Sequence, residues 1–322
     1  MTHLDDRVIL IDKGRGMTSF AAVREVRRAA RLDKVGHCGS LDPNATGLLI
    51  LCTGVATRLA SLFVDLPKHY EARIRFGRAT DTYDADGTTS STADVPPLQP
   101  QTVRAALRHF EGEIDQIPPM VSALKHRGRR LYQLARQGQE VERAPRRVMV
   151  HEITLRELGD GYADVDVHCG RGCYVRSIAH DLGTLLGVPA HLESLRRSAV
   201  GPFRARDAIG LDAFSAALRV DADRPAAAAL APNVRTLPKA LDLFPELRLR
   251  HRHEVEVRNG TQPEARFLVA LPERGGPHRL LSEDGRRMLA VTLVDGRRHF
   301  ARVRLLRVFP EPLPVEQEDV VP

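Results

Sequence analysis

Apolar and polar residues along the first two thirds of the chain predict strands interleaved with helices. Continuous apolar runs at residues 8–12 and 48–53 are typical of buried strands, and residues 70–76 alternate with the period of a half-buried strand. Two further strands, at 147–156 and 162–168, meet at a Gly-Asp-Gly turn. Apolar residues three or four apart predict helices at about 18–30, 56–64, 101–110 and 174–186, the first of which is predicted to bury Phe20, Val23, Val26 and Ala30. These elements predict an α+β fold around a mixed or antiparallel sheet.

Turn signals dominate the last third of the chain. Short strand-like segments are separated by Asn-Gly, Gly-Gly and Asp-Gly pairs, which are strong hairpin signals. The segments are 247–257, 267–271, 279–281, 287–293 and 299–308. This pattern predicts a small β-barrel at 241–310, preceded by an alanine- and proline-rich linker at 213–240 and followed by a disordered tail at 311–322. The first domain then covers residues 1–212.

Positive charge is concentrated in two separate segments. The chain has a net charge of +7, and residues 120–150 hold eight Lys and Arg against two acids. Residues 245–310 hold fourteen Arg against eight acids. Affinity for a nucleic acid rises with the number of phosphates neutralised, so two basic segments favour a polyanion that contacts both parts of the molecule. An arginine-rich solvated surface is the alternative, and the absence of Trp argues against binding mainly by aromatic stacking.

The four cysteines do not form the pattern of a disulfide scaffold or of a metal site. Cys38, Cys52, Cys169 and Cys173 are too few and too scattered for a disulfide framework, so reduced thiols are expected. His168 with the last two cysteines lacks a fourth ligand at useful spacing, so no metal is expected. The sequence shows no signal-peptide pattern and no apolar run long enough to span a bilayer. We therefore expect a soluble, cytoplasmic protein.

A constrained loop at residues 36–47 presents one carboxylate, that of Asp42. The loop reads Gly-His-Cys-Gly-Ser-Leu-Asp-Pro-Asn-Ala-Thr-Gly. Its glycines permit positive φ or close approach to a ligand, Pro43 fixes its own φ, and Leu41 is expected to anchor the loop inward. Asp before Pro is also ordinary turn chemistry, so this pattern alone leaves Asp42 as either a turn residue or a presented functional group.

Four motifs in register resemble the TruB family of tRNA pseudouridine synthases. The loop itself is similar to the family pattern G-H-x-G-x-L-D-P-x-A-T-G, and the order and spacing of the motifs fit across roughly residues 7–203. Residues 13–19 resemble the first motif, Tyr70-Glu71-Ala72 the second, residues 169–177 the third and Leu195-Arg196-Arg197 a fourth. The departures are Gly14, Cys38 and Ser40, where Pro, Thr and Ala are usual in the family. None of them falls on the expected acid, aromatic residue or arginine.

The resemblance implies an enzyme that converts uridine to pseudouridine at position 55, in the T-loop of tRNA. The reaction breaks the bond between ribose C1′ and uracil N1 and rejoins C1′ to C5 without net redox change, so no cofactor is expected. By resemblance, Asp42 is the catalytic carboxylate, which either attacks C1′ or assists removal of the C2′ proton. Arg176 is its partner, because a buried aspartate needs an adjacent cation to stay ionised. Tyr70 stacks on the target base and is a candidate for moving a proton.

The other predicted site residues bind the substrate or support the site. The resemblance implies that His37 helps to hold the extruded nucleotide and that Leu195 lines the base pocket. Lys13 and Tyr174 are further site candidates, as supports for the catalytic loop. A basic insertion at about 124–147 resembles the element with which the family clamps the T-arm. Its candidate phosphate-binding residues are Lys125, Arg127, Arg129 and Arg130.

The resemblance also implies partners and domain types. It predicts a monomer that binds the T-arm of tRNA, with a catalytic domain at 1–212 and an RNA-binding domain of the PUA or PUA-like type at 241–310. Guide-RNA-dependent relatives share the catalytic motifs, but the basic insertion favours the free-standing bacterial type. The alternative is an RNA-binding or tRNA-folding protein in which the isomerase activity is incidental or lost. The intact Asp42, Tyr70 and Arg176 argue against loss of activity. An unrelated hydrolase with Asp42 as nucleophile would need an activating metal or a His pair, which the sequence does not supply.

Overall fold

A computed structural model describes residues 4–122, 124–126, 128–135, 137–139, 141–219, 230–296 and 301–315. Its strands are β1 (Arg7–Lys13), β2 (Val35–His37), β3 (Thr46–Thr53), β4 (Lys68–Phe76), β5 (Arg78–Thr80), β6 (Thr89–Thr92), β7 (Gly112–Gln116), β8 (Lys125–His126), β9 (Arg129–Arg130), β10 (Arg146–Gly159), β11 (Tyr162–Cys169), β12 (Ala190–Val200), β13 (Phe203–Arg204), β14 (Ile209–Gly210), β15 (Val234–Thr236), β16 (Glu246–Arg248), β17 (Gly276–Leu281), β18 (Arg287–Asp295) and β19 (Arg302–Pro314).

The α-helices in this part of the chain are α1 (Ser19–Ala29), α2 (Ala60–Val64), α3 (Pro100–Arg108), α4 (Leu131–Ala135), α5 (Val175–Leu186), α6 (Leu211–Ala217), α7 (Leu237–Ala240) and α8 (Glu254–Arg258). Helix α1 begins where predicted, because the Thr18 hydroxyl accepts a hydrogen bond from the backbone N–H of Ala21 at 3.0 Å. Helix α5 ends at Gly187, whose φ of 70° favours glycine.

A large mixed sheet organises the first domain, as the sequence pattern predicts. The described strands follow the order β14-β1-β3-β12-β4-β11-β10-β7, with β15, β2 and β13 attached to β1, β3 and β12. Neighbours are mostly antiparallel, but β12 runs parallel to β3 and β14 runs parallel to β1. The sheet therefore combines hairpin pairs with crossover connections.

One face of this sheet carries two helical layers with a gap between them. Helix α1 packs on β1 and β3 through Ala22, Val23 and Val26, while α3 and α5 pack on β4 and β11. The pairing register places Tyr70 of β4 opposite Arg197 of β12, and both side chains point to this helical face. The centre of the face is therefore open to a ligand.

The prediction that Phe20 is buried is wrong. The buried stripe of α1 consists of Ser19, Ala22, Val23 and Val26, and Phe20 falls outside it with 63% of its surface exposed. The reason is that the helix begins at Ser19 and uses that first residue, rather than Phe20, to contact the rest of the domain.

The C-terminal region forms a four-stranded sheet in the order β16-β17-β18-β19. It has a core of its own, which includes Leu247, Leu280 and Leu289. Other residues of this sheet share a core with β1 and β3, on the face opposite α1; they are Leu281, Met288, Val291 and Phe309. The C-terminal sheet is therefore packed against the first domain rather than simply tethered to it.

Several C-terminal details differ from the sequence-based predictions. The predicted strand at 247–257 is only partly extended, because residues 251–258 are helical. Residues 265–267, at the start of another predicted strand, form a 3₁₀ turn. Strand β19 pairs with β18 as far as Pro314, so the start of the predicted disordered tail at 311 lies within a strand. Residues 316–322 of that tail lie outside the described residues.

The predicted linker at 213–240 contains regular structure at both ends. Helix α6 ends at Ala217, and β15 pairs with β1 of the large sheet through Arg235 and Val8. Residues 220–229 lie outside the described part of the chain. The described ends of this segment are therefore integrated with the first domain.

Candidate active site

The loop that presents Asp42 is fixed at several points. Its Leu41 is buried, and the Leu41 N–H donates to Ser19 Oγ at 2.8 Å while that hydroxyl donates to the Leu41 carbonyl at 3.1 Å. Gly47 has a φ of 99°, and a Cβ there would lie 2.3 Å from the Arg197 carbonyl oxygen. Only glycine allows β3 and β12 to approach this closely. The sequence thus forms a rigid loop whose anchored Leu41 directs Asp42 away from the core.

Arg176 holds Asp42 in a bidentate ion pair. Its Nε lies 2.8 Å from Asp42 Oδ2, and its Nη2 donates to Oδ1 at 3.1 Å. The Arg176 side chain is only 3% exposed, whereas that of Asp42 is 41% exposed. Further donors of Arg176 reach the carbonyls of Thr82 at 3.2 Å and Val121 at 2.9 Å. A buried, immobilised cation therefore orients a carboxylate that remains accessible.

A second carboxylate, which sequence reasoning missed, shares this arginine. Asp84 Oδ2 lies 3.6 Å from Arg176 Nε. It comes from residues 77–91, a segment rich in Asp, Thr and Gly whose sequence has no helix or strand periodicity. Burial raises the pKa of Asp42; Arg176 acts in the opposite direction and Asp84 raises the pKa further. The environment thus makes the Asp42 carboxylate more basic than an ordinary aspartate.

The residue before Asp84 is held in a strained conformation. Tyr83 has a φ of 62°, and its ring stacks on His180 of α5 at a centroid distance of 4.0 Å and an interplanar angle of 11°. The Tyr83 carbonyl also accepts a hydrogen bond from the Leu192 N–H at 2.9 Å. His180 lies one helical turn after Arg176, so this stack fixes Asp84 relative to the arginine.

A pocket of about 320 Å³ opens beside the ion pair. Residues from the loop that presents Asp42 and from three of the four motifs line it, and the predicted site residues among its lining are Asp42, Tyr70, Tyr174, Arg176 and Leu195. Burial raises the pKa of Tyr70 to about 12, although the nearby Arg197 guanidinium acts in the opposite direction. Tyr70 is therefore protonated at neutral pH and offers a hydroxyl donor and an aromatic face.

Lys13 lies beneath the loop and not in this pocket. Its ammonium is fully buried and donates to the carbonyls of Gly14, Met17 and Pro43 at 2.8, 2.9 and 3.0 Å. Burial lowers its pKa to about 8. An ammonium has three donors, and all three are used here, so Lys13 does not fit direct substrate binding. Lys13 instead ties residues 14–17 to the loop that presents Asp42.

Arg197 is a second support that sequence reasoning included in a motif but did not single out. It is 1% exposed, and its guanidinium donates to the carbonyls of Leu48 at 2.7 Å, Gly39 at 3.1 Å and Ser40 at 3.4 Å. The signal available in the sequence was a second consecutive arginine in the fourth motif. Arg197 fixes the turn that precedes Asp42.

Neither His37 nor the described part of the basic insertion contributes to the lining of this pocket. His37 is at the end of β2, burial lowers its pKa, and its buried Nδ1 has no hydrogen-bond partner among the described residues. It is not among the described residues that line the pocket. In the insertion, Arg129 is exposed and donates to the side chain of Gln137. Arg127 and the side chains of Lys125 and Arg130 lie outside what the structure describes.

The described residues show neither a cluster of metal ligands nor a membrane-spanning helix. They contain no group of three or more His, Cys, Asp or Glu side chains placed to hold a metal ion. None of the helices in this part of the chain is long and apolar enough to cross a membrane.

Comparisons with known proteins agree with the fold. The chain resembles a chain of a Cbf5–Nop10–Gar1 complex with a TM-score of 0.74 at 24% identity, over 95% of this chain and 85% of that one. Residues 27–175 match the model of the TruB family pseudouridylate synthase N-terminal domain. Residues 176–242 match the tRNA pseudouridylate synthase B C-terminal domain. The mixed sheet is thus the catalytic fold of a pseudouridine synthase.

Sequence relatives give the same result. tRNA pseudouridine synthase B of Chromohalobacter salexigens is 47% identical over 67% of this chain and 70% of its own length. The protein of that name from Syntrophotalea carbinolica is 37% identical over 94% of this chain and 97% of its own length. The chain belongs to the TruB family and is a tRNA pseudouridine synthase, an isomerase.

Proposed function

We propose that this chain isomerises the uridine at position 55, in the T-loop of tRNA. The observation that carries the proposal is the bidentate pair between Arg176 and Asp42 at the edge of a pocket that also contains Tyr70. An accessible carboxylate held by a buried arginine suits a reaction at ribose, because Arg176 keeps Asp42 ionised where burial alone would favour its neutral form.

In the proposed reaction, the ionised Asp42 acts at the ribose, either by attack on C1′ or by removal of the C2′ proton. The bond from C1′ to N1 breaks, the base turns within the pocket, and C1′ bonds to C5. The C5 proton is then lost and N1 gains a proton, so atoms and electrons balance without a cofactor. Tyr70 and Leu195 contact the base, and the protonated Tyr70 hydroxyl exchanges a proton with the ring or the ribose.

Access to the pocket requires the uridine to leave its stacked loop. His37 helps to hold the extruded nucleotide, while Tyr174 supports the wall of the pocket. The basic insertion at about 124–147 clamps the phosphates of the T-arm through Lys125, Arg127, Arg129 and Arg130. In this proposal, the pocket carries out the reaction and the positively charged residues around it provide affinity for the tRNA.

The C-terminal region acts as a PUA-like RNA-binding domain in a monomeric, cytoplasmic enzyme. Its positive charge and its strand pairing support this role, and its shared core with β1 and β3 holds it in a fixed position beside the catalytic domain. In this proposal, residues 1–212 form the catalytic domain and residues 241–310 extend the surface that contacts tRNA.

The test is conversion of uridine in an unmodified tRNA transcript, mapped by position. We expect pseudouridine at position 55 alone, and none with the Asp42→Asn variant. Pseudouridine confined to another position would overturn the proposed substrate site. Conversion by Asp42→Asn at the parent rate would overturn the proposed role of Asp42.

A further inference from the structure

Helix α1 carries an exposed basic stripe that the proposed chemistry does not use. Phe20, Arg24 and Arg27 lie at intervals of four and three residues, so they share one face of the helix, which we call the α1 stripe. All three are exposed, Phe20 by 63%, and the Arg24 guanidinium lies 5.5 Å from the Phe20 ring centroid. An aromatic ring beside two guanidinium groups is a combination suited to nucleic acid.

The charges of the α1 stripe are not used in ion pairs within the described protein. Arg28, on the neighbouring face, pairs with Glu25 at 2.8 Å. No such pair involves Arg24 or Arg27 among the residues that the structure describes, and Glu25 is the single acid of α1. The two arginines therefore retain their positive charge for a partner, and a polyanion is the complementary one.

The position of α1 links the stripe to the pocket. The helix packs on the same sheet face as Tyr70 and Arg197, and its first residue, Ser19, holds Leu41 of the catalytic loop through two hydrogen bonds. Across the pocket, Val121 binds Arg176 shortly before the basic insertion begins. Helix α1 packs over β1 and β3, whereas Arg176 belongs to α5, which packs over β4 and β11, so the two helices lie on opposite sides of β12.

We propose that the α1 stripe is a second RNA-binding surface, opposite the basic insertion. Arg24 and Arg27 contact phosphates of the substrate RNA, and Phe20 stacks on an unpaired base of its loop. This inference rests on the proposed function, because it assumes that the RNA reaches Asp42. It assigns RNA contact to a helix of which the four motifs include only the first residue, Ser19.

The charge part of the inference is tested with the double variant Arg24→Gln, Arg27→Gln. Its matched control is Arg104→Gln, Arg108→Gln, which removes two exposed arginines from α3. Affinity for an unmodified tRNA transcript is measured over a range of salt concentrations. We expect the slope of log affinity against log salt to fall by about two for the α1 variant, roughly one per lost phosphate contact, and to stay unchanged for the control. Equal slopes in the two variants would overturn the phosphate contacts.

The stacking part is tested with Phe20→Leu and Phe20→Tyr on a T-arm stem-loop RNA. Loss of one base–aromatic stack weakens binding by roughly tenfold or more, so Phe20→Leu is expected to lose that factor. Phe20→Tyr is expected to retain the affinity because it keeps the ring. Equal affinity of the Leu variant and the parent would overturn the stack, as would equal weakening by Leu and Tyr.

The same assays separate this inference from the proposed function. If the parent protein does not convert the tRNA at all, the proposed function fails. If the parent converts it, but the α1 variants bind with the parent's affinity and salt slope, only the second RNA-binding surface is refuted. If the parent converts it and the α1 variants show the lower slope and weaker binding while the α3 control does not, the surface is established.

Discussion

Replacing Arg176 by lysine should slow the reaction and also destabilise the fold. The guanidinium makes two contacts with Asp42 and donates to the Thr82 and Val121 carbonyls while only 3% exposed. Lysine keeps the positive charge but cannot make the bidentate pair with Asp42. Loss of one hydrogen bond between charged groups costs about 1.5–3 kcal/mol, which corresponds to a roughly tenfold to hundredfold slower step. A backbone carbonyl left without its donor adds about 1–3 kcal/mol of lost stability.

The rate is measured as tritium release from tRNA uridine labelled at C5, in single turnover with saturating enzyme. Stability is measured by thermal unfolding, where each kcal/mol shifts the midpoint by about 2–4 °C in a domain of this size. The matched control is Arg75→Lys, which alters a bidentate pair with Glu193 that is about one third exposed. The control should change stability by about 1 kcal/mol or less and leave the rate unchanged. A rate for Arg176→Lys within threefold of the parent would refute the proposed role of the bidentate pair in the reaction.

Three further predictions follow from the same geometry. Asp84 raises the pKa of Asp42, so Asp84→Asn should shift the acidic limb of the pH profile of kcat/KM to lower pH. A shift to higher pH would contradict the electrostatic coupling between the two carboxylates. Tyr83→Ser should lower kcat more than it raises KM. Tyr83→Phe should have the parent's kcat, because phenylalanine keeps the ring stack on His180. A low kcat for Tyr83→Phe would show that this stack does not position the site. Removal of residues 240–322 should lower the unfolding midpoint of the remaining protein, because it exposes the core that β1 and β3 share with the C-terminal sheet; an unchanged midpoint would show that this contact contributes little.

The ion pair between Arg176 and Asp42 could be predicted from sequence because short motifs fix its members. Asp42 lies in a loop whose residues are restricted by local geometry, and Arg176 belongs to a second motif in register with it. Asp84 could not be predicted in the same way. Its contact with Arg176 depends on the left-handed backbone of Tyr83 and on a ring stack with a distant helix. Neither feature leaves a local pattern in the sequence.

In the fold, too, elements that follow from local sequence pattern could be predicted, whereas elements that depend on tertiary contacts could not. Strands β3 and β4 were predicted because their apolar runs and alternation reflect burial directly. The segment Glu254-Val255-Glu256-Val257 alternates like a strand but forms helix α8. Its Glu254 is buried and pairs with Arg287 of β18 at 3.0 Å, so a tertiary contact outweighs the local alternation. The buried positions of Lys13 and Arg197 likewise depend on carbonyls brought together by the fold.

Direct comparison of Asp42→Asn with the parent tests the central claim. The substitution keeps the size of the side chain and removes its charge, so tRNA binding should persist while tritium release from C5 falls below detection. Asp207→Asn is the control and should retain the parent rate, because Asp207 does not line the pocket and its carboxylate lies 3.9 Å from Arg206 Nε. Turnover by Asp42→Asn within tenfold of the parent, on tRNA bound with the parent's affinity, would contradict the assignment of Asp42 as the catalytic carboxylate.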